Sequence, residues 1–215
     1  MQRTLFHAVL MSVIVVFDSF GAVQADGLLE LKKGDRVVLI GGGLAEREQY
    51  FGHIEAQIQA LHPELNVTVR NQGFMADEVR FRPRSLGFGE PDKHLTLARA
   101  DVILACFGFS ESFDGPAGVP TFQEELRTFI EHTLKQNYSG DGAPRLVLLS
   151  PIAHEDLKSH VLPDGSENNK NLALYTEAIE RVCKAKKVAY VDLFSPSKKL
   201  YAAAKTPLTM NGIHL

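Results

Sequence analysis

Three consecutive glycines, Gly41, Gly42 and Gly43, directly follow the apolar run Val37–Ile40. An uninterrupted apolar run of this length that ends in glycines is typical of a strand buried on both faces of a parallel sheet. Open parallel sheets bind their ligands beyond the carboxyl ends of the strands. The sequence therefore predicts that this glycine turn lies where the chemistry of the protein takes place.

A phosphate-binding turn is one alternative interpretation of the glycines. A dinucleotide-binding fingerprint needs a further glycine at the position of Glu46, where a carboxylate would repel pyrophosphate. No Gly-Lys-Ser/Thr sequence follows either. Nucleotide binding is thus the weaker interpretation, whereas a tight turn between strand and helix is expected under any function.

Other residues of chemical interest follow predicted strand ends. Asp77 and Glu111 are candidate substrate-binding carboxylates, but a helix N-cap at Asp77 and a loop anchor at Glu111 are equally open. The run 154–156 is His-Glu-Asp, and adjacent residues rarely point at one ion, so a solvated or capping role is predicted instead of a metal site. Ser150 has no base nearby in sequence and is a poor candidate nucleophile. No metal or other cofactor is predicted.

Arg80, Arg82 and Arg84 alternate within a long segment that is rich in glycine and proline. They could bind an acidic or sugar ligand. Alternating cations in a loop are more often simply solvated, and solvation is the prediction here.

Five apolar segments are predicted to form the strands that position these residues, with amphipathic helices between them. The predicted strands cover residues 37–40, 66–70, 102–107, 146–149 and 188–191, and the predicted helices cover 45–61, 122–135, 171–185 and 197–203. Residues 71–92 are predicted to be irregular, a length of loop that is usually functional or disordered. This alternation favours one α/β domain with a parallel sheet, right-handed crossovers and helices on both faces.

Composition and the N-terminus suggest a secreted globular protein. The 215 residues are 45% hydrophobic and 23% charged, with a net charge of −3 and no basic stripe, so nucleic acid is not an expected partner. Residues 1–25 combine Arg3, a mostly apolar stretch and small residues at Val23 and Ala25, which predicts a secretory signal peptide and a secreted or periplasmic location. The apolar stretch is too short for a membrane anchor, and no membrane span is expected after signal removal. Cys106 and Cys183 are predicted to be buried, and a disulfide between them is possible but not implied.

Four sequence blocks resemble those of the SGNH, or GDSL-like, hydrolases. These are IGGGLAE after the first strand, NQGFMADEV after the second, FGFSES after the third and NGIHL at the C-terminus. Each block alone is weak evidence for the resemblance. Four blocks in the family's order, each at a predicted strand end or at the C-terminus, are stronger evidence. The resemblance implies a flavodoxin-like three-layer α/β/α sandwich with a five-stranded parallel sheet over residues 26–215. It also implies hydrolysis of acyl esters of lipids, carbohydrates or thiols.

In that family a serine attacks the carbonyl, a histidine activates the serine and an aspartate holds the histidine. Two backbone amides and an asparagine side chain stabilise the oxyanion. Matched position by position, this sequence has Gly43 for the serine, Ala76 for the second-block glycine, Ser110 for the asparagine and Asn211 for the aspartate, while His214 is unchanged. Ala76 keeps its N–H, Ser110 can donate a hydrogen bond, and Asn211 can accept one from the imidazole. Gly43 has no hydroxyl, so the usual acyl-enzyme cannot form.

Two functions are therefore expected. One is an SGNH-like hydrolase of small-molecule or glycan esters whose activity is weak or absent. The other is a non-catalytic module that binds a carbohydrate or acyl ligand on the same fold. A structural role near the chain end is the alternative for His214. Since family members usually continue into a closing helix, a domain truncated at its C-terminus is also expected, and the oligomeric state is not predicted.

Overall fold

Five parallel strands form the central sheet of the computed structural model, which describes residues 29–215. They run in the order β2-β1-β3-β4-β5, and their bounds are Arg36–Gly41 (β1), Thr68–Asn71 (β2), Val102–Cys106 (β3), Arg145–Leu149 (β4) and Ala189–Val191 (β5). The predicted signal peptide, residues 1–25, lies outside the described residues. The order and direction of the strands confirm the predicted flavodoxin-like parallel sheet.

Helices alternate with the strands along the chain. They are Gly43–Phe51 (α1), His53–Leu61 (α2), Ser85–Phe88 (α3), Pro91–Ala98 (α4), Gly115–Thr133 (α5), Ser166–Lys186 (α6) and Phe194–Ala203 (α7), with short 3₁₀ turns at Pro63–Leu65 and Glu111–Asp114. Among residues 29–215, no helix is both long enough and apolar enough to cross a membrane.

Successive strand residues point to opposite faces of the sheet, so the apolar runs build two cores. On one face, Val38, Ile103 and Leu148 pack with the apolar sides of α4, α5 and α6. On the other face, Val37 and Leu104 pack with α1 and α2. Burial on both faces explains why the strands are apolar throughout instead of alternating.

The predicted helix over residues 45–61 is in fact two helices. Gly52 adopts a left-handed conformation with φ +63° and ends α1. The carboxylate of Glu48 then accepts a hydrogen bond from the N–H of Ile54 at 2.9 Å, which caps the start of α2. A left-handed residue interrupts the helix at a position where glycine carries no steric penalty.

Helix α5 begins seven residues before the predicted start at residue 122. These seven residues include two glycines and two prolines, which are disfavoured inside helices. Pro116 occupies the first turn, where its missing N–H costs no hydrogen bond. Gly118 lies against α6, since a Cβ there would fall 2.3 Å from the Tyr175 hydroxyl oxygen. The absence of a side chain at Gly118 therefore allows α5 and α6 to pack closely.

Both cysteines are buried and free, as predicted, and they do not form the disulfide that the sequence left open. Burial raises the pKa of each thiol to about 12.

Candidate active site

The glycine turn after β1 and the C-terminal segment meet at the carboxyl edge of the sheet. Helix α1 begins at Gly43. A Cβ placed on Gly43 would lie 3.6 Å from Nε2 of His214 and 3.4 Å from Sδ of Met75. Gly43, at the position that resembles the family's nucleophile, is therefore directly beside His214, the one residue of the resembled pattern that the sequence keeps unchanged.

Asn211 holds the imidazole of His214. Its Oδ1 lies 3.1 Å from Nδ1 of that ring and also accepts the backbone N–H of His214 at 3.2 Å. Because this oxygen is an acceptor in both contacts, Nδ1 carries the ring proton. The lone pair of Nε2 is then free on the side that faces Gly43.

The charge state of His214 follows from its surroundings. Burial lowers the pKa of the imidazole, the nearby Arg47 guanidinium lowers it further, and Glu46 opposes the shift. Arg47 also fixes the end of the segment, since its Nη2 donates to the backbone oxygen of Leu215 at 3.3 Å. His214 is thus held neutral near pH 7, as a general base requires.

Other hydrogen-bond donors lie around the same turn, beside a small cavity that His214 does not line. Gly43 is the first residue of α1, so its N–H has no acceptor within the helix. Ser110 shares with Gly43 a cavity of about 20 Å³, large enough for one water molecule. Ala76 has φ +63°, a left-handed conformation that glycine adopts without strain but that is unusual for alanine. Ala76 follows Met75 but does not line the small cavity itself.

Glu111 and Asp77 use their carboxylates differently. Glu111 is buried and accepts the backbone N–H groups of Val79 and Gly108, each at 2.9 Å. This geometry fits the loop-anchor alternative. Asp77 is 4% exposed, its Oδ1 has no hydrogen-bond partner in the described residues, and burial raises its pKa. No helix begins at the residue directly after Asp77, so the N-cap alternative is wrong.

Several other sequence candidates have structural roles. Ser150 is fully buried, and its Oγ accepts the N–H groups of Leu193 and Phe194. His154 and Glu155 are also buried, so the predicted solvated role is wrong for both. Glu155 does not cap a helix either, because the backbone N–H groups that it accepts, those of Leu208 and Thr209, lie in a segment without helix.

Of the three arginines in the long segment, Arg80 is exposed as predicted, whereas Arg82 and Arg84 contact other parts of the chain. Burial lowers the pKa of Arg82, whose guanidinium lies 4.6 Å from the centre of the Phe107 ring and donates to the backbone oxygen of Glu78. Arg84 donates to the backbone oxygen of Gln72 at 2.6 Å. The prediction of solvation is wrong for Arg82, because its stem and head pack over an aromatic ring.

A wide cleft lies elsewhere among the described residues. It measures about 830 Å³, lies between α4 and α5, and is lined by Arg82, Asp92, His132 and Tyr138 among others, but not by Gly43 or His214. No group of three or more His, Cys, Asp or Glu within residues 29–215 is arranged to hold a metal ion.

Comparison with known proteins was made by sequence and by structure. No protein-family model and no curated protein matches the sequence. Among solved structures, the acetylxylan esterase Axe2 from Geobacillus stearothermophilus superposes with a TM-score of 0.66 at 14% identity, covering 86% of this chain and 89% of that one. BT4096, described as a gut microbial diltiazem-metabolizing enzyme, superposes with a TM-score of 0.64 at 16% identity, and the match covers 88% of this chain but 45% of that one.

The solved catalytic mutants of Axe2 replace a serine, an aspartate and a histidine by alanine, and the aspartate precedes the histidine by three positions. These similarities confirm the fold that the four sequence blocks implied.

Proposed function

We propose that this chain, which has the SGNH hydrolase fold, hydrolyses acyl esters, with His214 activating a water molecule in place of a serine. The observation that carries the proposal is the 3.6 Å between Nε2 of His214 and the position of a Cβ on Gly43. A hydroxyl oxygen attached to that Cβ would fall within hydrogen-bonding distance of Nε2. A water molecule at the same place would receive the same activation.

The C-terminal pair supports this assignment. Asn211 and His214 are three positions apart, which is the separation of the catalytic aspartate and histidine in Axe2. The asparagine keeps the orienting function through Oδ1 but lacks the charge that stabilises an imidazolium. Removing the serine of a related triad costs on the order of 10⁶ in kcat, so slow turnover is expected.

The proposed reaction proceeds in two steps. Nε2 of His214 takes a proton from the water, whose oxygen bonds to the ester carbonyl carbon while the carbonyl electron pair moves to oxygen. The N–H groups of Gly43 and Ala76 and the hydroxyl of Ser110 then stabilise the oxyanion. As the carbonyl re-forms, the bond to the alkoxy group breaks and the imidazolium returns its proton to the leaving oxygen. The products are a carboxylic acid and an alcohol.

Esters of small molecules or glycans are the proposed substrate class. The acetylxylan esterase activity of the similar structure supports it. Residues 1–25 are proposed to be a secretory signal and residues 26–215 one hydrolase-like domain, which would bring the site to substrates outside the cytoplasm.

The test compares wild type with His214→Ala in the hydrolysis of p-nitrophenyl acetate. Wild type should exceed the protein-free blank, and the variant should lose that excess. His160→Ala, which changes an exposed histidine, is the matched control and should keep it. Equal rates for wild type and His214→Ala would end the proposal.

The absence of a nucleophile at Gly43 favours a second candidate, a non-catalytic module that binds a glycan or acyl ligand at the same site. This candidate predicts saturable binding, no turnover and no labelling by fluorophosphonate probes. Labelling of the wild-type protein at any serine would count against it.

A further inference from the structure

The segment that carries Asn211 and His214 contains neither helix nor strand from residue 204 to residue 215. Its conformation must therefore be fixed by side-chain contacts from other parts of the fold. We infer that Glu155, in the loop after β4, and Thr209 are positioning residues that set the place of His214. This inference rests on the proposed function for its catalytic meaning.

Glu155 is the centre of these contacts. Its carboxylate is 5% exposed, and Oε2 accepts the backbone N–H of Thr209 at 2.7 Å and the hydroxyl of Thr209 at 2.6 Å. The N–H of Leu208 lies 3.0 Å from both carboxylate oxygens. The backbone N–H of Glu155 in turn donates to the oxygen of Gly212 at 2.8 Å. Hydrogen bonds to an ionised acceptor are roughly twice as strong as neutral ones, so one side chain fixes several backbone groups.

Thr209 passes this constraint to the catalytic residues. Its hydroxyl donates to Glu155 and accepts the backbone N–H of Gly212 at 3.0 Å. Gly212 directly follows Asn211 and precedes His214 by two residues. The chain is therefore held at both ends of the short stretch between residues 209 and 212, immediately before the imidazole.

The ring of His154 also packs against the segment that carries Asn211 and His214. A Cβ on Gly212 would lie 2.6 Å from Nε2 of this ring, and a Cβ on Gly165 would lie 2.6 Å from its Cγ. The ring is thus wedged between two glycines. The side chain of Asn169 holds the backbone N–H and oxygen of His154, each at 2.8 Å.

Loss of the Thr209 hydroxyl leaves the buried Gly212 N–H without an acceptor, while Glu155 loses one of its donors. A misplacement of about 1 Å at a reacting group can reduce a rate about 10²-fold. We expect a loss of about 10-fold or more in activity, because only part of the constraint is removed.

The test uses Thr209→Val, which is similar in size but lacks the hydroxyl, and Thr209→Ser, which keeps it. The first measurement is the NMR signal of the His214 ring, assigned by its absence in His214→Ala, and it requires no turnover. Thr209→Val should shift or broaden this signal and lower the rate of p-nitrophenyl acetate hydrolysis, and Thr209→Ser should restore both. If Thr209→Val does not fold, Glu155→Gln is measured by the same criteria.

Asp35→Asn is the matched control for a purely structural loss. Asp35 is also 5% exposed and accepts a backbone N–H, that of Lys32, but it precedes β1 at the opposite edge of the sheet. This variant should lower the melting temperature and leave the His214 signal unchanged. A His214 signal in folded Thr209→Val that matches wild type would overturn the inference. A shifted signal without turnover in any protein would support it and end the proposed function instead.

Discussion

At the scale of single residues, the candidate site differs from the pattern of the SGNH hydrolases chiefly by the missing hydroxyl at Gly43. Nε2 of His214 faces the vacant position beside Gly43, and Asn211 fixes the tautomer that makes this nitrogen a base. Burial and the Arg47 charge lower the pKa of His214, and the opposing effect of the Glu46 carboxylate does not cancel this shift. The imidazole of His214 therefore stays neutral down to a lower pH than that of an ordinary histidine.

The lowered pKa of His214 predicts how ester hydrolysis depends on pH. Only the neutral imidazole accepts a proton, so the rate should rise with pH through a midpoint below the ordinary histidine pKa of 6.5 and then level off. Asn211→Asp would place a carboxylate beside Nδ1, favour the imidazolium and move the midpoint to higher pH.

A pH–rate profile of both proteins checks this prediction, with His160→Ala as the control whose midpoint should not move. A wild-type midpoint above 6.5, or the same midpoint in both proteins, would contradict the account of the His214 charge.

The candidate site was partly predictable from the sequence. The blocks around Gly43 and His214 identified the two residues that the fold brings together. The residue pattern within each block is local, so a single sequence is enough to recognise it. The anchoring role of Glu155 was not predictable, since its contacts to Thr209 join residues 54 apart in the chain. A carboxylate that anchors a loop, such as that of Glu111, also cannot be distinguished in the sequence from a carboxylate of an active site, because both follow strand ends.

At the scale of elements, the start of helix α5 is the clearest difference between the predicted and the observed helices. Its first seven residues are rich in glycine and proline and lie outside the helix predicted over residues 122–135. The structure uses Gly118 for contact with Tyr175, whose hydroxyl donates to the backbone oxygen of Gly115 at 3.1 Å. The requirement for glycine comes from α6, which is distant in sequence, so no local pattern could reveal it.

Gly118→Ala should therefore destabilise the protein. The added Cβ would lie 2.3 Å from the Tyr175 hydroxyl oxygen and 2.5 Å from Cβ of Asp114, so the helix or the tyrosine must move. Overpacking of this kind costs about 1–3 kcal/mol of unfolding free energy. Urea unfolding measures it, with Thr121→Ala at an exposed α5 position as the control, for which a change below about 0.5 kcal/mol is expected. A stability of Gly118→Ala equal to that of wild type would show that α5 and α6 are not packed as described.

At the scale of the whole molecule, the sheet and its two cores followed directly from the sequence. Strands buried on both faces leave continuous apolar runs, which is why the five predicted strands differ from the observed ones by at most two residues at any end. Helix boundaries were less predictable, since they depend on single caps such as the left-handed Gly52.

The two cysteines offer a test of this architecture, because Cys106 lies in one core and Cys183 in the other. Burial raises both thiol pKa values to about 12, so neither should react with a disulfide reagent in the native protein near pH 8. If the layers unfold as one cooperative unit, both thiols should become reactive at the same urea concentration. Reaction of either thiol in native buffer would contradict the burial of both cysteines. Exposure of the two thiols at different urea concentrations would contradict cooperative unfolding of the two cores.

The central claim is that the site is still arranged for acyl transfer and lacks only an oxygen at Gly43. Fluorophosphonate labelling of Gly43→Ser tests it most directly. The new side chain would touch the Met75 thioether at 3.4 Å, a flexible neighbour that can yield. The account predicts covalent labelling of the introduced hydroxyl, and loss of labelling in Gly43→Ser/His214→Ala. A folded Gly43→Ser protein that is not labelled would contradict it.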